Sequence, residues 1–365
     1  GDFQAGMLEF QAVAGKDVDT KGLDEFHDLF IQIGKDLPVS TSEVQQAAIE
    51  MVKGGIDPSI VAAGGLRQNI QFAAAAMKGD LAGAAEISAK ILGGWAEAGS
   101  TAAQQADFLT HSTDVLTKAA NASSVDVHEL SLGIFNAQGI AKAAGVSFDD
   151  LTTTMAELAP RFASASETGT SLKNMIVRLQ PQTKNQVGAM KALGLYTEAT
   201  GSAFYDAQGN FVGFQKASEL LRDATKDLTN EQRSQMLQTI FGNDAMGAAS
   251  ALAELGATGY QDMADKLAKA NGVQAAAALT QQGYNVALEN AKGSVEALQI
   301  TLGEKLLPIL TTVLNDYIAP GINAVTSFAD AFFAAEDSVV FLSDAVGNFS
   351  PVLGTIVGAI GDFIT

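Results

Sequence analysis

The sequence predicts a mainly α fold: a multi-helix assembly of helical hairpins with one small β-hairpin, leading into a long helix and an apolar C-terminal segment. Three observations carry this. Apolar residues recur at spacings of three and four along most of the chain, as in Leu23, Phe26, Phe30, Ile33 and Leu37, which places them on one helical face. Ser, Thr and Asp stand before such runs and Gly after them, as helix ends require. The 36 glycines, abundant alanine and 7% aromatic content suit helices that approach closely, because small side chains let backbones meet.

The elements follow in order. Met7 through Ala14 is an apolar helical run, and the stripe from Leu23 to Leu37 is stopped by Pro38. Ser40 or Ser42 caps a helix from Glu43 to Val52, which Gly54-Gly55 ends. Helices are expected from about Leu66 to Met77 and from Leu81 to Trp95. The run Val39-Ser40-Thr41-Ser42-Glu43-Val44, followed by Leu66 to Ile70, parallels Val146 to Leu151, followed by Leu172 to Ile176. A partial third copy begins at Val125-Asp126-Val127. Read as repeats, spanning 39–72 and 146–178, these are helical hairpins that bury their apolar stripes by stacking.

Phe204 to Val212 breaks the helical pattern, with aromatics flanking Gly209-Asn210, and is read as the β-hairpin. It lacks the spaced oxygen ligands and closing Glu of a calcium loop. Helix returns from Ala217 to Lys226, and Thr229 with Gln232 has capping-box spacing for a helix ending at Phe241-Gly242. Ala-rich helix broken at Gly256, Gly259 and Gly272 continues to Ala278. From Leu288 an apolar stripe of Leu288, Val295, Leu298 and Leu302 is set to meet another helix or another copy, until Lys305, Pro308 and Pro320 disturb it. This divides the chain into a helical domain at 1–285, an amphipathic helical segment at 286–335 and a hydrophobic Gly-rich segment at 336–365. Asp344, Pro351 and Asp362 divide the last segment, leaving no clean stretch of ~20 apolar residues. The start at Gly1, with no signal sequence, reads as a piece of something longer.

Composition bounds the function. At 365 residues with 47% hydrophobic and 17% charged residues, the chain holds one large core or two smaller ones. Alanine-built cores bury little area per residue, so neighbouring subunits are expected to contribute to stability. The net charge of −19 argues against phosphate-backbone binding and for repulsion of any DNA nearby. Without cysteine there is no disulfide, thiolate zinc site or Cys nucleophile.

No catalytic constellation or cofactor site is evident. His128-Glu129 begins like a zinc protease motif, but position 132 is Leu where a second His is needed. His27 and His111 are lone residues in helical context, and Asp149-Asp150 lie at a helix start, where negative charge suits the dipole. Neither a phosphate-binding Gly-rich loop nor a nucleophile elbow occurs. The candidate residues are therefore structural: Gly145, Gly169, Gly209 and Gly242 as turn formers, and Phe148, Phe211 and Phe241 as core anchors.

Several landmarks share one order and spacing: Ala144 to Leu151, Gly169-Thr170-Ser171-Leu172, Leu193-Gly194-Leu195, Gly209-Asn210-Phe211 and Ile240-Phe241-Gly242. Together they resemble the core region of phage tail tape measure proteins, over a span from Asp2-Phe3 to Leu306-Leu307-Pro308. The resemblance implies a structural role in a virion tail, with copies of the chain inside the tail tube setting its length during assembly in the host cytoplasm. It further implies contacts with tail tube protein, tail assembly chaperones and other copies of itself, and passage of the genome across the host envelope, with the host membrane as a further contact. The glycines and hairpin mark a folded docking module rather than a bare ruler. Rival readings are a membrane-active pore former acting through the segment from Val339, a cell-wall hydrolase fragment, and the tape measure of a contractile injection device or gene transfer particle.

Overall fold

A computed structural model of the chain describes residues 2–280 and 291–304. Local chemistry sets the helix starts. Side-chain oxygens of Asp19, Ser40, Asp57, Asp80, Thr101, Asp126, Ser147, Ser164, Thr183 and Thr229 each accept from a backbone N–H in the first turn they precede. Ser40, Thr101, Thr183 and Thr229 do so within full capping boxes, closed by Glu43, Gln104, Gln186 and Gln232.

The first helices are α1 (Asp2–Ala14), α2 (Thr20–Asp36) and α3 (Thr41–Lys53). A short α4 (Pro58–Ile60) runs through a π-helical turn at Val61–Gly65 into α5 (Leu66–Ala76), with left-handed Gly64 at the joint. Next come α6 (Leu81–Trp95), α7 (Ala102–Ser123), α8 (Val127–Ala143), α9 (Phe148–Leu158), α10 (Ala165–Arg178) and α11 (Lys184–Ala192). A two-stranded antiparallel hairpin follows, β1 (Tyr196–Thr197) on β2 (Gly201–Ser202), with Tyr196 opposite Ser202. The chain then forms α12 (Phe214–Thr225), α13 (Asn230–Phe241), α14 (Asn243–Lys269) and α15 (Val273–Thr280). Residues 291–304 are again helical. Among the described residues the fold is mainly α, with one small two-stranded hairpin.

The hairpin lies upstream of the place expected for it. Residues 204–212 form instead a loop closed by a single antiparallel bridge between Tyr205 and Phe211. The Asp206 amide donates to the Asn210 carbonyl and the Val212 amide to that of Phe204, and at the tip the Asp206 carboxylate accepts from the Gln208 and Asn210 amides and from the Asn210 side chain. Likewise, of the breaks expected in the Ala-rich helix, Gly256 kinks α14 with φ +59, Gly272 precedes α15, and Gly259 lies within the helix.

Two hydrophobic cores share a wall. The N-terminal core is built from α1, α2 and α3, with Phe10, Phe26 and Phe30 in mutual ring contact. The larger core runs from α8 to α15. Helices α5, α6 and α7 face both. Leu66 and Ile70, Ala85 and Leu92, and Ala106 and Leu109 point into the first, while Phe72, Ile87 with Ile91, and Leu116 with Ala119 point into the second. The segment 291–304, which begins beyond the boundary expected at 285, packs back onto the N-terminal core through Ile300. The segment 305–365, including the hydrophobic Gly-rich stretch, lies outside the described residues.

Candidate functional site

The candidate residues are structural, so the site is the packing scaffold that holds the helices in place. Its closest backbone-to-backbone approach at a described glycine is the crossing of α8 and α10. Gly169 is inside α10, not in a turn as expected, and is buried against Gly133 of α8. A Cβ on Gly169 would lie 2.0 Å from the Gly133 carbonyl oxygen, and one on Gly133 would lie 2.3 Å from the Ala165 carbonyl oxygen. Only hydrogen atoms fit between the two backbones. The start of α14 then packs over the end of this pair, where the Ala248 amide donates to Ser171 Oγ at 3.2 Å.

Gly145, Gly209 and Gly242 do lie in turns. Gly145 has φ +81 and sits just past the end of α8, where its amide donates to the Lys142 carbonyl and the Val146 amide reaches back to Ala141 at 2.9 Å. This double closure satisfies the last carbonyls of the helix, and Val146 is buried beneath it. Gly55 with Ile56 ends α3 by the same bonds, and Gly194 with Leu195 ends α11. Gly209 turns the Asp206 loop at φ +83. Gly242 has φ +71 and ψ 173, a region open to glycine, and joins the end of α13 directly to the start of α14.

Phe148 and Phe241 are buried, Phe148 meeting Trp95 and Phe108 edge to face. Phe211 is only partly buried and rests on Phe214 with ring centroids 5.1 Å apart. The fully buried aromatics of that region are Phe204 and Phe214, on either side of the loop.

Sequence reading missed a polar latch beneath this loop. The Tyr260 hydroxyl of α14 donates to Asp150 Oδ1 on α9, and the first amide of α12, Phe214 N, donates to Asp150 Oδ2 at 3.2 Å. Burial raises the Asp150 carboxyl above its ordinary range, although both donors act to lower it. Burial, and then the adjacent Asp150 charge, push the Tyr260 hydroxyl far above the usual tyrosine value. Asp150 thus joins three helices, rather than only favouring the dipole of its own. Its neighbour Asp149 faces His111, at 2.9 Å. Among the described residues, no three His, Asp or Glu side chains converge in a way that would hold a metal ion.

Gln186 is a second missed residue. Its Oε1 accepts from the Gln182 and Thr183 amides as the cap of α11, while its Nε2 donates to the Ile240 carbonyl at 3.0 Å, next to Phe241-Gly242. The capping box was the available signal, but the reach to α13 was not.

Of the apolar stripe, Leu288 lies outside the described residues. Val295 and Leu298 are 44% and 52% exposed, and Leu302 is partly buried. The same helix buries Ala297, and buries Gly293 against the Gly34 and Val39 carbonyls beside the N-terminal core. Among the described residues, no helix is long and apolar enough to cross a membrane.

The model of the phage-related minor tail protein family matches residues 27–242. The tape measure protein of Pneumococcus phage Dp-1 is 25% identical over 358 residues, which cover 96% of this chain and 29% of that protein. A protein of Escherichia phage P2, described as a probable tape measure protein, is 28% identical over 301 residues, 82% of this chain and 34% of its own length. The chain therefore spans roughly a third of the length of these relatives. No solved structure matches it. The family match takes in both the Gly133/Gly169 crossing and the Phe241-Gly242 turn and covers more than half of the sequence: the chain belongs to the phage-related minor tail protein family, that of the phage tail tape measure proteins.

Proposed function

We propose that this chain is a folded assembly module of a tail tape measure, which docks within the growing tail while the tape as a whole sets tube length. One observation carries the reading. The longest helix among the described residues, α14, has 27 residues and is kinked at Gly256, and the helix at 291–304 returns to α2 and α3. A straight helix of 365 residues would extend about 550 Å at 1.5 Å per residue, whereas α14 is about 40 Å long. A chain folded back on itself in this way adds far less length per residue than a rod.

Tail tube protein, tail assembly chaperones and further copies of the chain are the partners this role calls for, and the tube lumen is its place. The exposed Val295 and Leu298 support a contact with another helix. The net charge of −19 fits a protein that shares a narrow space with DNA without holding it, as passage of the genome into the host requires. The role is structural rather than catalytic, consistent with the relatives' description as tape measure proteins and with the use of Asp150, Tyr260 and Gln186 as ties between helices.

The test is tail length by electron microscopy after deletions in the intact gene. Removing helical residues inside 2–280 is expected to impair assembly without a proportional change in length, while removals from regions of the gene outside this module shorten the tail by about 1.5 Å per residue. Proportional shortening from deletions inside the module would overturn the module reading. Unchanged length from deletions outside it, with particles still formed, would overturn the ruler.

A further inference from the structure

Helix 291–304 is attached to the N-terminal core in an unusual way. Of its four large apolar side chains, Val295 and Leu298 are exposed and Ile300 and Leu302 only partly buried, Ile300 packing on the core, while the fully buried positions are the small residues Gly293, Ala297 and Gly303. Small residues supply little apolar area for holding a helix in place. The attachments named by geometry are polar. Glu296 accepts from the Thr41 and Ser42 amides, both at 3.2 Å, and from Ser42 Oγ at 2.8 Å, placing a carboxylate on the N-terminus of α3. Glu304 meets His27 Nε2 of α2 at 2.6 Å. One turn before Glu296, Gly293 rests on backbone: a Cβ there would be 2.8 Å from the Gly34 carbonyl oxygen and 2.9 Å from that of Val39.

The Ser40/Glu43 capping box already serves the start of α3, so Glu296 is a second acidic group on a helix end that is capped without it. α3 therefore keeps its cap when Glu296 leaves. This is the mark of an attachment that opens without unfolding what lies beneath.

We propose that helix 291–304 is a releasable clasp on the N-terminal core, closed by Glu296 on the start of α3 and by the His27–Glu304 pair, and opened as His27 loses its proton.

His27 is faced by Glu304 from helix 291–304, by Asp28 of its own helix at 3.1 Å, and from α1 by the uncharged Phe3 ring, 5.3 Å away edge to face. Burial lowers its pKa, but the hydrogen bonds and charges of Glu304 and Asp28 outweigh this, and the net shift is upward from 6.5. The sign follows. A histidine with a raised folded pKa contributes its full stabilisation below 6.5, and that contribution disappears as pH rises through the folded value. The clasp is closed below about 6.5 and loosens as pH rises through the higher folded value of His27.

Hydrogen–deuterium exchange on the full chain, corrected for intrinsic rates, reads the clasp directly. In the unaltered protein, amides of 291–304 should exchange well before those of α3, and faster at about pH 8 than at about pH 6. The variant combining Glu296→Gln and Glu304→Gln should accelerate exchange in 291–304 by about tenfold or more while leaving α9 and α10 unchanged. His27→Gln should abolish the pH dependence of 291–304 alone. The clasp is overturned if 291–304 and α3 exchange together in the unaltered protein, because they are then one cooperative unit. It is also overturned if the double variant leaves 291–304 protected. The role of His27 is overturned if the pH dependence is absent or survives His27→Gln.

Discussion

Gly133 and Gly169 meet backbone to backbone: a Cβ on Gly169 would stand 2.0 Å from the Gly133 carbonyl oxygen and 2.8 Å from its Cα. These two residues bring α8 and α10 into direct contact, and α14 packs over the joint through the Ser171–Ala248 bond. Gly169→Ala is expected to push the helices apart and cost ~1–3 kcal/mol or more. Gly139, on the exposed face of the same α8, has open space around its Cβ position, so Gly139→Ala should stabilise by ~0.5–1 kcal/mol. Urea denaturation of the two variants is the check, and opposite signs are the expected result. An unchanged midpoint for Gly169→Ala would mean that the crossing has room.

Phe241 is 1% exposed and Phe211 is only partly buried. Phe241→Ala should therefore cost ~3–5 kcal/mol, and Phe211→Ala ~1–2 kcal/mol. Thermal and chemical denaturation give the ranking. A near-zero shift for Phe241→Ala would remove it from the core.

The Asp150–Tyr260 latch makes stability depend on pH in a defined direction. Tyr260 holds its proton far above the ordinary value of 10, so above that pH the folded state binds more protons than the unfolded one, and stability falls as pH rises. Asp150, also raised, contributes most below 3.8 and loses that contribution as pH climbs through its folded value. Tyr260→Phe should cost ~1–3 kcal/mol near neutrality and flatten the decline in stability above about pH 10. Denaturant midpoints across that range test this. A decline as steep in Tyr260→Phe as in the parent would assign it to other groups.

Gln186 caps α11 with one end and ties it to α13 with the other. Gln186→Ala should cost about 2–4 kcal/mol, through the lost cap and the orphaned Ile240 carbonyl. Gln186→Glu keeps the cap acceptor but sets a carboxylate against that carbonyl, and should do no better. A Gln186→Glu variant as stable as the parent would show that the tie to Ile240 contributes nothing.

Caps and helix ends were legible because their chemistry spans three to six residues. Thr229 with Gln232, Ser40 with Glu43, and Gly145 before Val146 each declare a boundary without reference to the rest of the chain. The β1–β2 hairpin was missed because its strands have two residues each, too short for any alternating pattern, while Tyr205 and Phe211, which face each other across the expected turn, form only one antiparallel bridge around a tip that Asp206 folds. Gly169 was misread because a glycine between polar residues looks like a turn until its partner helix is known. The latch was invisible for the same reason, since Asp150 and Tyr260 are 110 residues apart and neither departs from the helical pattern around it.

By itself the sequence determined the mainly helical fold, helix ends such as Thr229 with Gln232 and the turn at Gly145, and the kinship with tail tape measure proteins, because these rest on contacts between near neighbours and on the order of short motifs. Only the tertiary structure decided which glycines are turns and which are crossings, which carboxylate ties three helices together, and that helix 291–304 returns to α2 and α3. The physical reason is that small residues and lone polar groups carry little information of their own. What a glycine or an aspartate does depends on the backbone that approaches it, and that backbone comes from a distant part of the chain.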